Sequence, residues 1–507
     1  MCVHTPRSGS AGSDSSARFL LRAGRPARPR SARRRRWRPR AARYTSRLAC
    51  PSPCAAPQSP RVARAADMSR RCSPPLLLLA AGLLLLLLLL AAADASQRKC
   101  YRGYLLVRTA PVEDAARLAA VSALDSVRGV LVLSMPSPQR GAVIAVAPHS
   151  AEDVRVRLNA AGVTYTVETD DLEQLLERGR SQTRNLAELP QGGVSFDRFM
   201  TLDEIYAYLD TLATQYPDLV TLETIGQSTE GRDLKLVKVV TASSDSDAAK
   251  PVIFIDATIH AREWLAPCVA LYTLQQLVEN STASASLLQA ADWYLLPVLN
   301  PDGYDYTHNT DRLWRKTRSY QGSDDPDCMG VDANRNYDFH WGGEGSSTDP
   351  CSETFAGPSP FSEPEARNHA AFLRANNDSI SLYLTLHSYG QLFLYPWGWT
   401  TDYPDNVDEL HALGIAATAA LAAVRGTQYT VGSSANVLYF SSGSSRDYAK
   451  GVPGARFSYT LELPEGGESG FDPEPSAIWP VVTETFELIK VLADAVSGQW
   501  QPPATSS

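Results

Sequence analysis

Two histidines and a glutamate stand at the ends of apolar segments, where their spacing could form a metal site. His260 and Glu263 follow the run Val252–Ala257 and are three residues apart, whereas His387 ends a second apolar run far along the chain. A catalytic zinc site uses three protein ligands of these types and leaves a fourth position open for water. One interpretation is therefore a zinc site. The other is a pair of strand-end histidines that only make hydrogen bonds.

A domain in which short apolar strands alternate with helices would position these residues. Strand-length apolar segments are Val252–Ala257, Tyr294–Leu299, Ser381–Leu386 and Phe457–Leu463. Helical segments are Thr201–Tyr216, which has an N-cap Thr and Glu204 three residues on, Trp264–Val278, Glu409–Val424 and Ile478–Val496. This alternation predicts an α/β domain at 185–500, built on a mixed, mostly parallel twisted sheet with helices on both faces. Ligands of such sheets bind beyond the carboxyl ends of the strands, where the two histidines are expected.

A smaller unit is predicted before this domain, at residues 96–180. Its expected strands are Tyr101–Val107, Gly129–Leu133 and Ala142–Ala147, and its expected helices are Val112–Ser126, Ala151–Ala160 and Leu172–Arg178. The pattern is typical of a ferredoxin-like α+β sandwich. Basic residues between Arg178 and Arg184 predict a linker that a trypsin-like protease could cut, so this unit and its linker span 96–184.

The N-terminal region is predicted to be a leader. Residues 1–67 are rich in arginine, and Met68 begins a second start with Arg70 and Arg71, the apolar run Leu76–Leu90 and small residues up to Ala95. That order predicts a signal peptide at 68–95 and makes residues 1–67 an upstream extension outside the working protein. The alternatives are a signal anchor or buried helix at the apolar run, and an arginine-rich arm that directs the chain to an organelle or nucleic acid. No later segment is expected to be apolar enough to span a bilayer.

The composition is that of a globular protein, and the cysteine use fits secretion. The chain has 507 residues and a formal net charge of −7, and its 44% hydrophobic and 20% charged residues are globular values. Cys328 and Cys351 flank a loop rich in Gly, Asp and Ser, and a disulfide between them is expected in a secreted protein. Cys100 and Cys268 are expected to be free. Asn280 and Asn377 begin glycosylation sequons.

Seven short motifs rich in polar and aromatic residues follow one another along the chain. They are His260-Ala-Arg-Glu263-Trp264, Asn300-Pro301-Asp302-Gly303-Tyr304, Leu313-Trp314-Arg315-Lys316-Thr317-Arg318, Asp332-Ala333-Asn334-Arg335-Asn336, Cys351-Ser352-Glu353-Thr354, His387-Ser388-Tyr389 and Thr460-Leu461-Glu462. From Thr201 to about Val496 the chain resembles the A/B type of zinc metallocarboxypeptidases, and residues 96–180 resemble the prodomain of that family.

The resemblance implies a role for each catalytic residue. His260, Glu263 and His387 would hold one zinc ion, and Asp332 would orient the His260 ring. The ion would lower the pKa of a water molecule to about 7. Glu462 would act as the general base, and Arg315 would stabilise the oxyanion. From their local sequence alone, Glu462 could be a solvated strand end and Arg315 a surface arginine.

The resemblance also implies how a peptide is held. Asn334 and Arg335 would grip the free carboxylate of the substrate, which restricts cleavage to the last residue. Tyr439 would close over the bound peptide, although it could instead be an ordinary aromatic residue at a strand end. Arg262 would contact the substrate upstream of the cut. Ser388 and Tyr389 belong to the same expected substrate-binding set.

The residue at the floor of the specificity pocket lies seven positions after the mobile tyrosine in this family. It is aliphatic in A-type enzymes and Asp in B-type enzymes, and counting from Tyr439 gives Arg446, which resembles carboxypeptidase O. A guanidinium there favours Glu or Asp as the residue removed. Counting back from Glu462 gives Asp447 instead, which predicts Lys or Arg. A third possibility is that Arg446 points to solvent.

The sequence as a whole predicts a secreted zinc carboxypeptidase, made as a zymogen that a trypsin-like protease activates. Its expected partners are peptides with a free C-terminus, without nucleic acid or a stable membrane anchor, and the chain is expected to be a monomer. The alternatives are the same enzyme with a basic or apolar preference, and a secreted peptide-binding homologue without activity, because fold alone does not fix function. The retention of His260, Glu263, His387, Arg315 and Glu462 favours the active enzyme.

Overall fold

The computed structural model describes residues 98–500, apart from positions 113, 138, 139, 185–191, 242–248, 323, 324, 326, 327 and 468. The extension predicted at 1–67 and the signal peptide predicted at 68–95 lie outside the described residues. The described residues form two β-sheets, one of four strands and one of eight.

The first part of the described chain, here called the first unit, spans residues 98–184. Its strands are β1 (Leu105–Thr109), β2 (Val130–Ser134), β3 (Val143–Val146) and β4 (Tyr165–Thr169), and its helices are α1 (Ala115–Ser122), α2 (Ala151–Ala160) and α3 (Leu172–Arg184). The strand order is β2-β3-β1-β4, and all neighbours are antiparallel. This βαββαβ arrangement agrees with the ferredoxin-like expectation.

Two details of the first unit differ from the sequence-based expectations. Strand β4 was not predicted, because it is an edge strand that pairs only with β1 and its largely exposed residues lack an alternating apolar pattern. The linker predicted between Arg178 and Arg184 is instead the end of helix α3. The Arg and Gln residues of this segment have good helix propensity, and they carry the helix past Gly179.

The second part of the chain forms the larger sheet with helices around it. Its strands are β5 (Val220–Gln227), β6 (Asp233–Val239), β7 (Val252–Ala257), β8 (Asp292–Leu296), β9 (Ile380–Ser388), β10 (Leu392–Tyr395), β11 (Thr430–Ser433) and β12 (Phe457–Leu463). Its helices are α4 (Leu202–Gln215), α5 (Leu265–Val278), α6 (Ala285–Ala290), α7 (Pro301–Asn309), α8 (Pro364–Ala375), α9 (Val407–Arg425), α10 (Ser434–Val437), α11 (Ser445–Gly451) and α12 (Ile478–Val496). The strand order is β11-β10-β12-β9-β7-β8-β6-β5.

The centre of this mixed sheet is parallel, as predicted. Strand β9 pairs in parallel with both β7 and β12, and β7 pairs in parallel with β8. The edges contain antiparallel pairs, including β5 with β6 and β10 with β12. Because β7, β9 and β12 run in one direction, their carboxyl ends meet at one edge of the sheet.

Two hydrophobic cores hold the helices against the faces of the larger sheet. Helix α4 begins with the predicted cap, in which the Thr201 amide donates to Glu204 Oε2 over 2.8 Å and the Glu204 amide donates back to the Thr201 hydroxyl. Helix α9 is long and apolar enough to cross a membrane by length and composition, contrary to the expectation for segments after the leader. Its buried residues, including Leu413 and Leu421, belong to the larger core.

The cysteines follow the expectations in part. The predicted disulfide joins Cys328 and Cys351, and Cys268 is a free buried thiol. Cys100 is disulfide-bonded, so the prediction that it is free is wrong. Asn280 and Asn377 are exposed, and their glycosylation stays a prediction.

Candidate metal and peptidase site

The first cluster of the site forms where β7 ends. Thr258 adopts a left-handed backbone conformation (φ 62°), which is rare for a β-branched residue, and its hydroxyl donates to the Pro297 carbonyl over 2.9 Å. The chain therefore turns sharply after the strand. His260 and Glu263 lie in this turn, before α5 begins, and both side chains are buried.

The other two residues come from neighbouring strands. His387 lies near the carboxyl end of β9 and is directly opposite Glu462 of β12 in the register of the two strands. Since these strands are parallel, both residues reach the sheet edge that His260 and Glu263 occupy. The structure thus brings together four residues of which the first and last are about two hundred positions apart in the sequence.

The two imidazole rings and the Glu263 carboxylate converge on one point. His260 Nδ1 lies 2.7 Å from Glu263 Oε1, and His387 Nδ1 lies 3.1 Å from Glu263 Oε2 and 3.2 Å from His260 Nδ1. The potential ligand atoms all lie within 4.8 Å of one another. The outward Nε2 atoms of His260 and His387 have other polar partners, so both Nδ1 lone pairs can face inward. This donor set fits zinc.

Asp332 connects the His260 ring to Arg315. Its Oδ1 lies 3.1 Å from His260 Nε2, and its Oδ2 accepts from Arg315 Nη2 over 2.8 Å. Burial alone would raise the pKa of Asp332, but the positive charge of Arg315 and the contact with His260 outweigh it and hold the pKa well below its usual range. The ionised carboxylate therefore fixes both groups.

Glu462 has the electrostatic environment of a general base. Burial raises the pKa of Glu462 to about 7, and the Glu263 carboxylate adds to this shift, whereas His387 and Arg315 oppose it. A carboxyl group with a pKa near the working pH can both accept and release a proton. The role of Glu462 as general base stays a prediction.

The cavity at this edge of the sheet contains most of the expected substrate-binding residues. Those that line it are Asn334, Arg335, Ser388, Tyr389, Tyr439 and Arg446, together with His260, Glu263, Arg315 and Glu462. Arg335 donates from Nε to the Gly345 carbonyl and from Nη1 to the Asn334 carbonyl, over 2.8 and 2.9 Å. These contacts fix the side chain of Arg335 in the wall of the cavity.

Arg446 and Asp447 occupy different places relative to this cavity. Arg446 lines it and is only 3% exposed, so it does not point to solvent. Asp447 is completely buried, and its Oδ2 accepts from the backbone amides of Gly398 and Trp399 over 2.7 and 3.1 Å. Of the two candidate pocket residues, the geometry brings Arg446 to the cavity.

Arg262 differs from the other expected substrate-binding residues. Its guanidinium is buried, donating to the carbonyls of Leu313 and Leu133 over 3.1 Å each and pairing with Glu353 over 2.6 Å. The ring of Phe471 covers it, 4.4 Å from the guanidinium carbon. Because Leu133 belongs to β2, a first-unit carbonyl occupies one donor of Arg262 in the uncut chain.

The first unit also forms part of the cavity wall. Its contributions are Leu133, Ser134, Met135, Ser137 and Arg140. Asp125 lies nearby, where its carboxylate accepts from the Ser352 hydroxyl and, over 3.1 Å, from the Glu353 amide. Arg108 pairs with Glu465 over 2.9 Å on another side of the contact.

Three residues next to the site were missed by sequence reasoning. Thr385 contacts His387, Asp256 contacts Thr385, and Glu353 pairs with Arg262. A signal for Asp256 does exist, because a carboxylate within the apolar strand β7 is unusual unless it has a buried partner. Thr385 carries no such signal, since threonine is common in strands.

Comparisons with known proteins agree with this geometry. Residues 205–488 match the family described as zinc carboxypeptidase, Peptidase M14. Carboxypeptidase B from Astacus astacus is 48% identical over 294 residues, which are 58% of this chain and 95% of that protein. Carboxypeptidase O from Bos taurus is 40% identical over 310 residues, covering 60% and 81%. The crystal structure of carboxypeptidase A from Helicoverpa armigera superposes with a TM-score of 0.74 at 33% identity, covering 81% of this chain and all of that one.

Proposed function

Because the chain belongs to the zinc carboxypeptidase family and is a metallocarboxypeptidase, we propose that it is a secreted zymogen whose active form removes acidic residues from peptide C-termini. One zinc ion would be held by His260, Glu263 and His387. When bound, it would act as a Lewis acid and lower the pKa of a water molecule to about 7.

Glu462 transfers the proton, and Arg315 stabilises the negative charge that develops during the reaction. Glu462, whose pKa is about 7, accepts the proton of the attacking water and delivers it to the leaving amine. Arg315 donates N–H groups to the carbonyl oxygen as negative charge develops on it. Its hydrogen bond with Asp332 holds the guanidinium in place before substrate arrives, so little reorganisation is needed during the reaction.

The restriction to the last residue follows from a carboxylate clamp. Asn334 and Arg335 line the same cavity as the catalytic residues, and a planar guanidinium suits bidentate recognition of a carboxylate. An internal peptide bond presents no carboxylate there. Tyr439, which lies at the cavity wall, would cover the bound residue.

The acidic preference rests on one observation, the presence of the Arg446 side chain in the cavity wall while Asp447 lies behind it, in contact with the guanidinium and with two backbone amides. Asp447 does not use the Nη1 donors of Arg446, and a Glu or Asp side chain of the substrate can accept from them. The similarity to carboxypeptidase O supports the proposal, whereas the similarity to carboxypeptidase B makes a basic preference the alternative outcome.

Profiling of released residues tests this specificity. A mixture of peptides that differ only in the last residue is digested with the trypsin-activated enzyme, and the shortened products are quantified by mass spectrometry. Peptides ending in Glu and Asp are expected to shorten first. Faster loss of terminal Lys and Arg would assign the enzyme to the basic alternative.

Latency is supported by the position of the first unit. Five of its residues line the cavity, and its Leu133 carbonyl binds Arg262. Cleavage after Arg180 or Arg184 would require local opening of helix α3 and would then free the first unit to leave. The uncut chain should therefore hydrolyse a small peptide much more slowly than the trypsin-treated chain. Equal rates for the two forms would show that the first unit does not inhibit.

Secretion and the signal peptide are proposed from the order of residues 68–95, with the Cys328–Cys351 disulfide as support. Sequencing the N-terminus of protein collected from the medium of expressing eukaryotic cells tests the assignment. A mature N-terminus close to Ala95 is expected. Retention of residues 1–67 on a cell-associated protein would contradict it.

A further inference from the structure

A row of buried polar side chains runs behind the His387 ring, away from the cavity. Thr385 Oγ1 lies 3.2 Å from His387 Nε2 and 2.8 Å from Asp256 Oδ1. On its far side, Asp256 Oδ2 lies 3.5 Å from His369 Nε2, and His369 Nδ1 lies 2.6 Å from the Tyr337 hydroxyl. All five side chains are buried. We call Thr385 and Asp256 the threonine–aspartate pair.

The chemistry of the row assigns a direction to the hydrogen bonds of Thr385. A Tyr337 hydroxyl that donates to His369 Nδ1 leaves the proton of the neutral ring on Nε2, which lies 3.5 Å from Asp256 Oδ2 without a hydrogen bond among the described residues. Burial lowers the pKa of His369 to about 3, so that ring is neutral at pH 7.5. Burial raises the pKa of Asp256 to about 6, so its carboxylate is ionised at that pH and can only accept.

The direction at Thr385 follows from that carboxylate. A hydroxyl has one proton, and the ionised Asp256 takes it, which leaves the Thr385 oxygen as an acceptor. It can then accept only an N–H from His387 Nε2. With its proton on Nε2, the His387 ring presents the Nδ1 lone pair to His260 and Glu263, 3.2 and 3.1 Å away.

We propose that Thr385 and Asp256 are positioning residues, which set the tautomer and orientation of His387 for metal binding. This inference rests on the proposed zinc site. His260 has the shorter version of the same arrangement, because Asp332 touches its Nε2 directly. On the His387 side a hydroxyl stands between the ring and the carboxylate. Without Asp256, the Thr385 proton could turn toward Nε2 and favour the tautomer with its proton on Nδ1, which cannot bind the metal through Nδ1.

Zinc affinity is the direct test, measured at pH 7.5 on the full chain by competition with a chelator of known affinity. Loss of groups that orient a metal-binding histidine commonly weakens metal binding by about 10-fold to 100-fold. Thr385→Val keeps the side-chain shape but removes the hydroxyl, and Asp256→Asn keeps the size but removes the charge. Both variants are expected to fall in that range, whereas Thr385→Ser should stay near the unaltered chain.

The matched control is Thr273→Val, since Thr273 is also a completely buried threonine, donating to the Val269 carbonyl over 2.9 Å within α5. It should leave zinc affinity unchanged even if it lowers the unfolding temperature of the metal-free chain. If Thr385→Val fails to fold, Asp256→Asn decides the question. Zinc affinities of folded Thr385→Val and Asp256→Asn within about twofold of the unaltered chain would overturn the proposal, because losses of about 10-fold to 100-fold are expected. Zinc binding by the unaltered chain tests the proposed function separately.

Discussion

The Arg446 guanidinium and the Asp447 carboxylate contact each other although only the first of them lines the cavity. Arg446 Nε and Nη2 each lie 3.0 Å from Asp447 Oδ1, while Asp447 Oδ2 accepts from two backbone amides. Arg446 also donates from Nη1 to the Thr460 hydroxyl over 3.3 Å and from Nη2 to the Ser444 hydroxyl over 3.4 Å. Asp447 thus fixes the guanidinium from behind.

This arrangement keeps Arg446 available to a substrate. A guanidinium has five N–H donors, and the contacts among the described residues use four of them. At least one Nη1 donor is left for the side-chain carboxylate of a terminal Glu or Asp. Asp447→Asn should keep the amide contacts but loosen the guanidinium, so we expect KM for a Glu-terminated peptide to rise more than kcat falls. A change in kcat alone would contradict this positioning role.

Glu462→Gln separates catalysis from binding. The amide cannot accept the proton of the attacking water, and loss of a general acid–base group lowers kcat by roughly 10²–10⁴-fold. The variant should still hold zinc, measured by metal analysis after dialysis, because Glu462 is not among the three proposed ligands. His387→Ala, by comparison, should lose both metal and activity. Near-normal turnover by Glu462→Gln would show that the base is another residue.

The carboxylate clamp predicts a strong effect of capping the substrate. Amidation of a peptide C-terminus removes the charge that Arg335 would bind, and a charge-assisted hydrogen bond contributes about 1.5–3 kcal/mol, or roughly 10-fold to 150-fold in kcat/KM. Arg335→Lys should reduce this discrimination, because a lysine cannot make the bidentate contact. The control Arg367→Lys alters an exposed arginine on α8 and should preserve the discrimination between free and amidated peptides. Equal rates on free and amidated peptides would exclude the clamp.

After cleavage, the binding of the first unit to the catalytic part should depend on pH, because Asp125 titrates. Burial raises the pKa of Asp125 to about 6, and the nearby Glu353 carboxylate adds to the shift. A raised carboxyl pKa means that the docked state favours the protonated form. The contribution of Asp125 to docking is therefore fully present below its ordinary pKa of about 4 and is lost as the pH rises through about 6.

Size-exclusion chromatography of the trypsin-treated chain measures this effect. More of the first unit should co-elute with the catalytic part at pH 5 than at pH 7.5, and Asp125→Asn should hold it at both pH values. The control Asp153→Asn changes an exposed carboxylate on α2 that pairs with Arg157, and it should leave the difference intact. Release that is equal at both pH values in the unaltered chain would disprove the role of Asp125.

The metal cluster could be predicted from the sequence because its signals are local. His260, Glu263 and His387 follow apolar segments of strand length, and such segments place polar residues at one edge of a parallel sheet. Glu462 was assigned only through the family resemblance. Its pKa depends on burial beside Glu263 and His387. The sequence around Glu462 does not indicate that these residues are its neighbours in the fold.

The sequence could not decide whether Arg446 or Asp447 faces the specificity pocket. Arg446 and Asp447 both lie in the first turn of α11, which Ser444 caps by accepting from the Asp447 amide over 3.4 Å. Successive residues of a helix point about 100° apart, so one of them faces the cavity and the other the protein interior. Counting along the sequence gives either residue, whereas the direction of the helix selects Arg446.

Steady-state kinetics on three peptides that end in Glu, Phe and Lys test the central claim most directly, using the trypsin-activated chain, Arg446→Ile and the exposed-site control Arg456→Ile. We predict that kcat/KM of the unaltered enzyme is highest for the Glu peptide, by about 10-fold or more for one buried charge-assisted contact. In Arg446→Ile the Glu preference should disappear and the Phe peptide should become the best substrate, whereas Arg456→Ile should behave like the unaltered enzyme. Best cleavage of the Lys peptide by the unaltered enzyme, or an undiminished Glu preference in Arg446→Ile, would contradict the account.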